Sequence, residues 1–225
     1  MRQRRKNSLE LVVGIDQSLT NTACTLFTNG IPTDRAVFHT GCTNTKSYKE
    51  KIRRGDTIFG YFTDSHIAQV EYITSQVVDK MAEWNPREIC LEGLAFGASG
   101  KVERQLAGLY HSIFTSLHRE LGYCMFTQLI TVTPTQAKKL ARDQLPEEER
   151  YLSGQWTTQG KPKLNPMKKP DMIKALHATG HGWILDGYTR SSLVASRKME
   201  TGLEDLPDSY FIGKFFIDNR KLFIK

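Results

Sequence analysis

Short apolar runs at the start of the chain predict three consecutive strands. Residues 9–15 form an apolar run interrupted only by Glu10, which is typical of a strand buried on both faces. Residues 20–28 and 36–40 alternate more loosely, and a Pro-Thr-Asp turn precedes the second of these segments. Because short turns join the three segments, the pattern predicts an antiparallel meander at the start of a sheet.

Two longer segments, residues 65–84 and 101–121, carry apolar residues at three- and four-residue steps. This is the period of an amphipathic helix. A strand is predicted after each helix, at residues 87–92 and 123–132, and Pro134 opens a short helix. Three strands followed by alternating helices and strands predict an α/β fold, in which helices flank a mixed five-stranded sheet with three antiparallel N-terminal strands.

The second half of the chain is less regular. Residues 142–170 are polar and charged and contain proline and glycine, and segments of this length without a clear period are usually functional or disordered. A weaker helical pattern covers residues 182–198, and a last helix is predicted over residues 207–216, with a proline in its first turn. We expect one domain over residues 1–225, with a basic loop and helical excursion at about 142–204.

The charge of the chain favours a polyanionic partner. A formal net charge of +7 and a pI near 9.2 fit either nucleic-acid binding or a solvated basic surface. Clustering favours the first reading, because residues 161–169 hold four lysines interleaved with proline and asparagine. Such a segment suits contacts to phosphates, which depend on charge and not on base sequence.

Several other classes of protein fit the sequence poorly. No apolar run approaches the ~20 residues of a membrane span, and the basic N-terminus leads into a short run without a signal-peptide cleavage site, so we expect a cytoplasmic protein. The cysteines form no CxxC pair and the histidines no HExxH, which argues against structural zinc. Residues 93–101 lack P-loop spacing, so no nucleotide cofactor is expected.

Four acidic residues stand at the boundaries of predicted elements. Asp16 follows the first strand, Glu92 ends the fourth, and Asp205 and Asp208 open the last helix three residues apart, so that their side chains can share one face. Each acid alone is equally compatible with a turn or a helix cap. Together, in a partly buried site, they would need cations to remain ionised. Mg²⁺ prefers such oxygen ligands, and a pair of these ions promotes phosphodiester hydrolysis.

The ordered motifs resemble those of the RuvC family of Holliday junction resolvases. Gly14-Ile-Asp16-Gln-Ser-Leu-Thr20 is similar to the first motif of that family, Leu91-Glu92-Gly93 to the second, and Asp205-Leu-Pro-Asp208 to the final Asp-x-x-Asp. Three basic segments between them are also similar: Arg104-Gln-Leu-Ala-Gly108, Gln136-Ala-Lys138 and Lys169-Pro-Asp-Met172. The resemblance spans about residues 10–217, and it depends on the ordered set, since no single motif is specific.

This resemblance implies a ribonuclease H-like fold and a divalent-metal-dependent endonuclease that resolves four-way junctions. It also implies a homodimer, Mg²⁺ or Mn²⁺ as cofactor, and symmetric nicking of two opposed strands. Asp16, Glu92, Asp205 and Asp208 would be the catalytic and metal-binding residues. The basic residues expected to contact DNA are Lys101, Arg104, Lys138, Lys168 and Lys169.

The sequence departs from the family pattern in ways that leave other functions open. Residues 139–169 and 169–205 are longer than expected, and Leu-Pro stands where small residues are usual in the last motif. These departures favour a divergent branch, for instance one encoded by a bacteriophage. A nuclease of the same fold that acts on flaps, forks or packaging intermediates is one alternative. A non-catalytic DNA-binding protein is another, although it would not need the four acids.

Overall fold

A mixed six-stranded sheet forms the centre of the protein. The computed structural model describes residues 9–42, 60–62, 66–94, 100–186 and 205–223. The strands of the central sheet are β1 (Leu11–Asp16), β2 (Asn21–Thr28), β3 (Ile31–Cys42), β4 (Gly60–Phe62), β5 (Glu88–Glu92) and β6 (Leu129–Val132). Their order across the sheet is β4-β3-β2-β1-β5-β6.

Six helices and a separate hairpin complete the described structure. The helices are α1 (His66–Trp84), α2 (Lys101–Leu121), α3 (Pro134–Asp143), α4 (Glu147–Arg150), α5 (Lys169–Ala178) and α6 (Leu206–Asn219). The hairpin consists of β7 (Tyr151–Trp156) and β8 (Pro162–Leu164), which pair with each other and not with the central sheet. Short 3-10 helices lie at Gly182–Leu185 and Arg220–Leu222. No described helix is long and apolar enough to cross a membrane.

The strand pairing confirms the predicted mixed sheet. β1, β2 and β3 form an antiparallel meander, whereas β1 pairs with β5, and β5 with β6, in parallel. β4 was not predicted; it adds three residues in parallel to the end of β3. β1 lies in the middle of the sheet and is buried on both faces, as expected for a continuous apolar strand.

Two boundaries in the second half of the sequence differ from the prediction. The predicted strand at residues 123–132 begins only at Leu129, because the Gln128 side chain accepts a hydrogen bond from the Cys124 N–H at 3.0 Å and holds the preceding residues in a turn. The excursion at 142–170, predicted to be irregular, contains α4 and the β7–β8 hairpin. Of the helix predicted over residues 182–198, the described part is a 3-10 turn, and residues 187–204 lie outside the described ranges.

Side chains alternate between two hydrophobic layers along β1. Val13 and Ile15 pack with the buried residues of α1 and α2 on one face of the sheet. Val12 packs on the other face, in a cluster that contains the buried residues of α3, α5 and α6. Because the side-chain period of a strand is two, Gly14 and Asp16 belong to this second face. β1 thus fixes which layer contains the acidic residue at its end.

Helix α6 approaches β1 more closely than side chains would allow. A Cβ atom on Gly14 would lie 2.1 Å from the Ser209 carbonyl oxygen and 2.5 Å from the Gly213 nitrogen. A Cβ on Gly213 would in turn lie 2.5 Å from Phe27 Cε2 and 3.1 Å from the Gly14 nitrogen. Helix and strand therefore meet backbone to backbone, and two glycines are required for this contact.

Alanine at Gly14 is expected to destabilise the protein by at least about 1–3 kcal/mol, the usual cost of overpacking. The backbone of α6 would have to move, because the clashing atoms belong to the main chain. Urea unfolding of the variant measures this loss. Gly108→Ala is the matched control, since Gly108 lies in α2 with no atom within 4 Å of the added Cβ. It should instead stabilise the protein by about 0.5–1 kcal/mol. Equal stability of both variants would contradict the close contact.

Candidate active site

Asp16 and Glu92 lie side by side at the carboxyl ends of neighbouring parallel strands. Ile15 is in register with Leu91 across β1 and β5, so the next residue of each strand is an acid. Cys90 packs in the α6 layer and Leu91 in the opposite layer, so strand alternation directs Glu92 to the α6 face, as it does Asp16. Asp16 is buried and Glu92 is partly buried, so two carboxyl groups share this end of the sheet.

Asp205 and Asp208 reach the same place from the start of α6. Asp205 is the N-cap residue of this helix, but its side chain makes no capping hydrogen bond. Ser209, one turn further on, is the residue whose carbonyl oxygen meets Gly14. Asp16 lies two residues beyond Gly14 on β1, so the close contact brings the start of α6 to the end of the strand. Carboxylate oxygens of Asp16, Asp205 and Asp208 all lie within 4.8 Å of one another.

Lys169 provides a positive charge between these acids. Its Nζ atom lies 2.7 Å from Asp205 Oδ1 and 2.6 Å from Asp208 Oδ2, and 3.9 Å from Asp16 Oδ2. The residue opens α5, where the Lys168 N–H donates to Asp171 Oδ2 at 2.9 Å and so fixes the helix start. Lys169 thus balances part of the negative charge of the cluster.

The acids line a cleft whose other wall is basic. A cavity of about 410 Å³ is lined by Asp16, Glu92, Lys138, Met167, Lys168, Lys169, Met172 and Asp208. Three of the five basic residues predicted to contact DNA are therefore at the acidic cluster. Arg104 is exposed on the first turn of α2 and is not part of this lining, and the side chain of Lys101 lies outside the described structure.

Burial and mutual repulsion raise the pKa of three of the acids. The pKa of Asp16 is well above its ordinary value because the residue is buried, with Glu92, Asp208 and Asp205 adding repulsion and Lys169 opposing the rise. Burial also raises the pKa of Glu92 and of Asp205, partly offset by Lys138 and Lys169 at Glu92 and by Lys169 at Asp205. Burial disfavours the charge on Lys169, but Asp208, Asp16 and Asp205 outweigh it and raise the pKa of the lysine. The site thus carries an excess of negative charge that binding of a cation would relieve.

The residues of the cleft fit a divalent metal ion. Asp16, Asp205 and Asp208 offer three closely spaced carboxylate oxygens, the hard ligands that Mg²⁺ and Mn²⁺ prefer. Gln17, which was not predicted from the sequence, borders the acids through the main chain. Its Nε2 donates to the Glu92 carbonyl oxygen at 2.6 Å, while its Oε1 is buried and has no hydrogen-bond partner in the described structure. A buried acceptor of this kind usually bonds to an ordered water or a ligand.

Three residues at or beside the site were not predicted from the sequence. Gln17, whose side chain bonds to the Glu92 main chain, stands directly after Asp16 in the first motif, and this position could have indicated it. Met167 and Met172 also line the cleft, but methionines carry no chemical signature of a site, and hydrophobic pattern alone would place them in the core. Met172 is fully buried and Met167 nearly so, and both also belong to the hydrophobic core on the α6 face of the sheet.

The fold and the position of the acids define a class of protein. A mixed sheet with an antiparallel meander at one side, and acids at the ends of β1 and β5 and at the start of the last helix, is the predicted ribonuclease H-like arrangement. No family model matches the sequence, and no curated protein matches it. The similarities are therefore those of structure.

Solved structures of junction resolvases share the fold over nearly the whole chain. RuvC of Thermus thermophilus in complex with a Holliday junction substrate superposes with a TM-score of 0.51 at 10% identity, covering 95% of this chain and 96% of that one. A second Thermus thermophilus RuvC structure gives the same TM-score. The yeast mitochondrial Holliday junction resolvase Ydc2 gives 0.50 at 15% identity, over 92% of this chain and 78% of that one. The ribonuclease H-like fold of RuvC is thus the fold of this protein.

Replacing Asp16 by Asn is expected to stabilise the metal-free protein at neutral pH by about 0.5–2 kcal/mol, the range of relieved active-site strain. The pKa of Asp16 is raised on folding, so its stabilising contribution is present below the pKa of the unfolded chain and is lost as the pH rises through the folded pKa. The gain from Asp16→Asn should therefore shrink as the pH falls towards about 4.

Chemical unfolding in EDTA at several pH values measures this effect. Asp143→Asn is the matched control, because Asp143 is half exposed in an ion pair with Lys139 on the surface of α3, and such pairs contribute little. A destabilised Asp16→Asn protein at pH 7.5 would contradict the excess negative charge assigned to the site.

Lys169→Met is expected to tighten Mn²⁺ binding at least about tenfold, which corresponds to ~1.4 kcal/mol. The lysine ammonium group contacts the carboxylates of Asp205 and Asp208 that a metal ion would use. Without it, nothing competes with the metal ion for these carboxylates, and no neighbouring ammonium group of this residue repels the ion. Isothermal titration calorimetry with Mn²⁺ measures the affinity. Lys168→Met removes a neighbouring, exposed lysine and should change the affinity far less. Unchanged binding in Lys169→Met would show that metal does not use these carboxylates.

Proposed function

We propose that this protein is a divalent-metal-dependent endonuclease that cleaves branched DNA and resolves four-way junctions by paired nicks. The observation that carries the proposal is the cleft in which Asp16, Glu92 and Asp208 face Lys138 and Lys168. Carboxylates alone would repel a phosphate, and lysines alone would only bind it. A wall of each kind suits binding of a phosphodiester together with its hydrolysis.

The acids have separate tasks in this mechanism. Asp16, Asp205 and Asp208 would hold the divalent ions, and Glu92, on the strand next to Asp16, is the fourth carboxylate of the site. Ions held by such a set would stabilise the attacking and leaving oxygens of phosphodiester hydrolysis. The reaction adds one water across a P–O bond of the backbone, leaving a phosphate on one fragment and a hydroxyl on the other. No side chain becomes covalently attached to the DNA.

The lysines position the scissile phosphate. Lys138 lies on α3 and Lys168 directly precedes α5, and both helices pack on the α6 face of the sheet. Their charges are therefore held by the same layer that holds Asp205 and Asp208. A divalent ion held by these carboxylates would replace the ammonium group of Lys169 as their positive partner. Lys169 would then be placed to contact a phosphate oxygen of the DNA.

A homodimer follows from the proposed reaction. A four-way junction presents two equivalent phosphates, and each chain offers one acidic cluster in its described part, so paired nicks require two copies. Two-fold pairing is the most common oligomer symmetry and matches that of the junction. Light scattering of the protein alone and with junction DNA measures the assembly, and a mass of one chain in both states would exclude paired cleavage.

Wild-type protein in Mg²⁺ is expected to cut a synthetic four-way junction faster than a fork, and to leave a linear duplex of the same sequence nearly intact. Asp16→Asn should lower junction cleavage at least about a hundredfold, since several kcal/mol of transition-state stabilisation are lost. DNA binding should persist or tighten, because a negative charge near the phosphates is removed. Asp143→Asn on the surface should cleave at the wild-type rate.

Each alternative has its own outcome in this experiment. Preferred cutting of the fork would favour a nuclease of the same fold that acts on forks or flaps. Tight binding by the wild type without cleavage in either Mg²⁺ or Mn²⁺ would favour a non-catalytic DNA-binding protein. Wild-type cleavage by Asp16→Asn would overturn the assignment of the acids.

A further inference from the structure

The β7–β8 hairpin is a ribbon with both faces in solvent. Every residue of β7 and β8 except the partly buried Leu152 is exposed. Three of the exposed side chains are large and apolar: the exposed fraction is 66% for Trp156, 52% for Leu164 and 39% for Tyr151. Among the described elements, β7 packs mainly against β8 and the one-turn helix α4. A two-stranded hairpin of this kind is marginally stable by itself, so its apolar side chains do not serve the core.

The pairing within the hairpin places Trp156 next to its tip. Tyr151 pairs with Leu164 at the base and Trp156 pairs with Pro162 near the turn. Five residue steps on β7 therefore face two on β8, and Gly154 inside β7 has a φ of +67°. This is a large bulge, a feature that bends a strand and re-aims its side chains. The turn is closed by the Thr157 N–H, which donates to the Lys161 carbonyl oxygen at 2.8 Å.

The base of the hairpin is fixed to the wall of the acidic cleft. The Asn165 N–H donates to the Arg150 carbonyl oxygen at 2.9 Å, and Arg142 Nε donates to the Asn165 carbonyl oxygen at 2.8 Å. Asn165 Oδ1 in turn accepts from the N–H of Met167 at 3.1 Å, and Met167 and Lys168 line the cleft. On β8, only three residue steps separate Asn165 from Pro162, the partner of Trp156, and a strand rises ~3.3 Å per residue, so this pair lies within about 10 Å of the base, or about three base-pair steps of a duplex. DNA held in the cleft is within reach of Trp156.

The charges around Trp156 select a base rather than a phosphate as its ligand. A hollow of about 570 Å³ beside the hairpin is lined by Trp156, Tyr151 and Pro162 and also by Glu147 and Glu148. The two carboxylates repel phosphates, but they accept hydrogen bonds from the exocyclic amino groups of bases. Aromatic side chains offer a stacking surface to any base. The hollow therefore suits the face and edge of a nucleobase that has left its helical stack.

Phosphate contacts are available on the same ribbon. Lys161 closes the turn and Lys163 lies in β8, and both side chains are exposed. An aromatic platform with lysines beside it is the usual arrangement for binding unstacked nucleic acid. Fully stacked linear duplex offers the phosphates but not the base face, whereas a branch point offers both.

We propose that Trp156 stacks on an unpaired or unstacked base at the branch point of the DNA, and that this contact gives the protein its preference for branched over linear DNA. The inference rests on the proposed function for its substrate, but it assigns to the hairpin a task that is separate from cleavage. Glu147 and Glu148 bind the edge of the same base, and Lys161 and Lys163 hold the flanking backbone.

The experiment measures binding without cleavage, in EDTA, to a four-way junction and to a linear duplex of the same sequence. Trp156→Ala should weaken junction binding about 5- to 150-fold, the loss that corresponds to one stacked base, and should change duplex binding less than about twofold. Trp156→Phe should keep most of the affinity, whereas Trp156→Leu should not, because leucine retains apolar area without a π-face. Junction binding should quench tryptophan fluorescence in the wild type but not in Trp156→Phe.

Two control variants separate stacking from other contacts. Phe126→Ala removes an aromatic side chain that is 89% exposed and that precedes β6, at the opposite end of the parallel strands from the acids; it should leave both affinities unchanged. Lys161→Ala should weaken binding to both DNA shapes alike and reduce the salt dependence by about one unit of slope.

The outcomes distinguish this inference from the proposed function. Equal losses on junction and duplex in Trp156→Ala, or no loss, would overturn the stacking role even if the wild type cleaves junctions. A lower assembly mass of Trp156→Ala in light scattering would instead make the hairpin a contact between two copies of the chain, and would also overturn it. Junction binding that depends on Trp156, in a protein that cleaves no DNA in Mg²⁺ or Mn²⁺, would leave the stacking role intact and refute the nuclease.

Discussion

The contact between Gly14 and the backbone of α6 is the constraint on which the site depends. The helix can lie against β1 only because neither Gly14 nor Gly213 has a side chain. This close contact fixes the position of α6 along β1, and therefore also the distance from Asp208 to Asp16. Thr25 and Ser209, whose hydroxyl groups are 2.7 Å apart in the interior, add a directional contact to the same helix. Apolar side chains at the two glycine positions would fill the interface but separate the acids.

A second constraint is electrostatic and acts against the first. Packing α6 on β1 buries Asp16, Asp205 and Asp208, and the cost of burying like charges is met only partly by Lys169. The far end of α6 is held differently, by Arg220, which forms ion pairs with Glu10 and the buried Glu88. The helix is thus clamped at both ends by charges, but only its first turn carries an unbalanced negative charge. This difference marks the first turn of α6 as the part suited to binding a cation and the last turn as the part that stabilises the fold.

Local pattern predicted the mixed α/β sheet and placed the acids at the ends of β1 and β5 and at the start of α6, whereas the ribonuclease H-like fold was implied by the ordered motifs. The alternation of side chains along β1 and β5 determines which face of the sheet Asp16 and Glu92 occupy. The three-residue spacing of Asp205 and Asp208 places both on one face of the helix. The pairing of Lys169 with Asp205 and Asp208 spans 36 and 39 residues of sequence, and no periodicity encodes such a contact. The β7–β8 hairpin escaped prediction because it buries neither face, so its strands lack the alternation by which strands are recognised. The role of Gly14 in helix packing could not be predicted either, because the sequence does not show which helix packs against this residue.

The order of the elements along the chain has a consequence for synthesis. Asp16 leaves the ribosome well before Asp205 and Asp208, because most of the described residues stand between them in the sequence. Because synthesis proceeds from the N-terminus at a finite rate, a nascent chain can pair β1 with β2 and β3 long before it contains α6. During this interval, it has at most half of its four acids, and the layer that covers Asp16 is missing. The cluster of acids is therefore incomplete in the nascent chain until α6 has been synthesised.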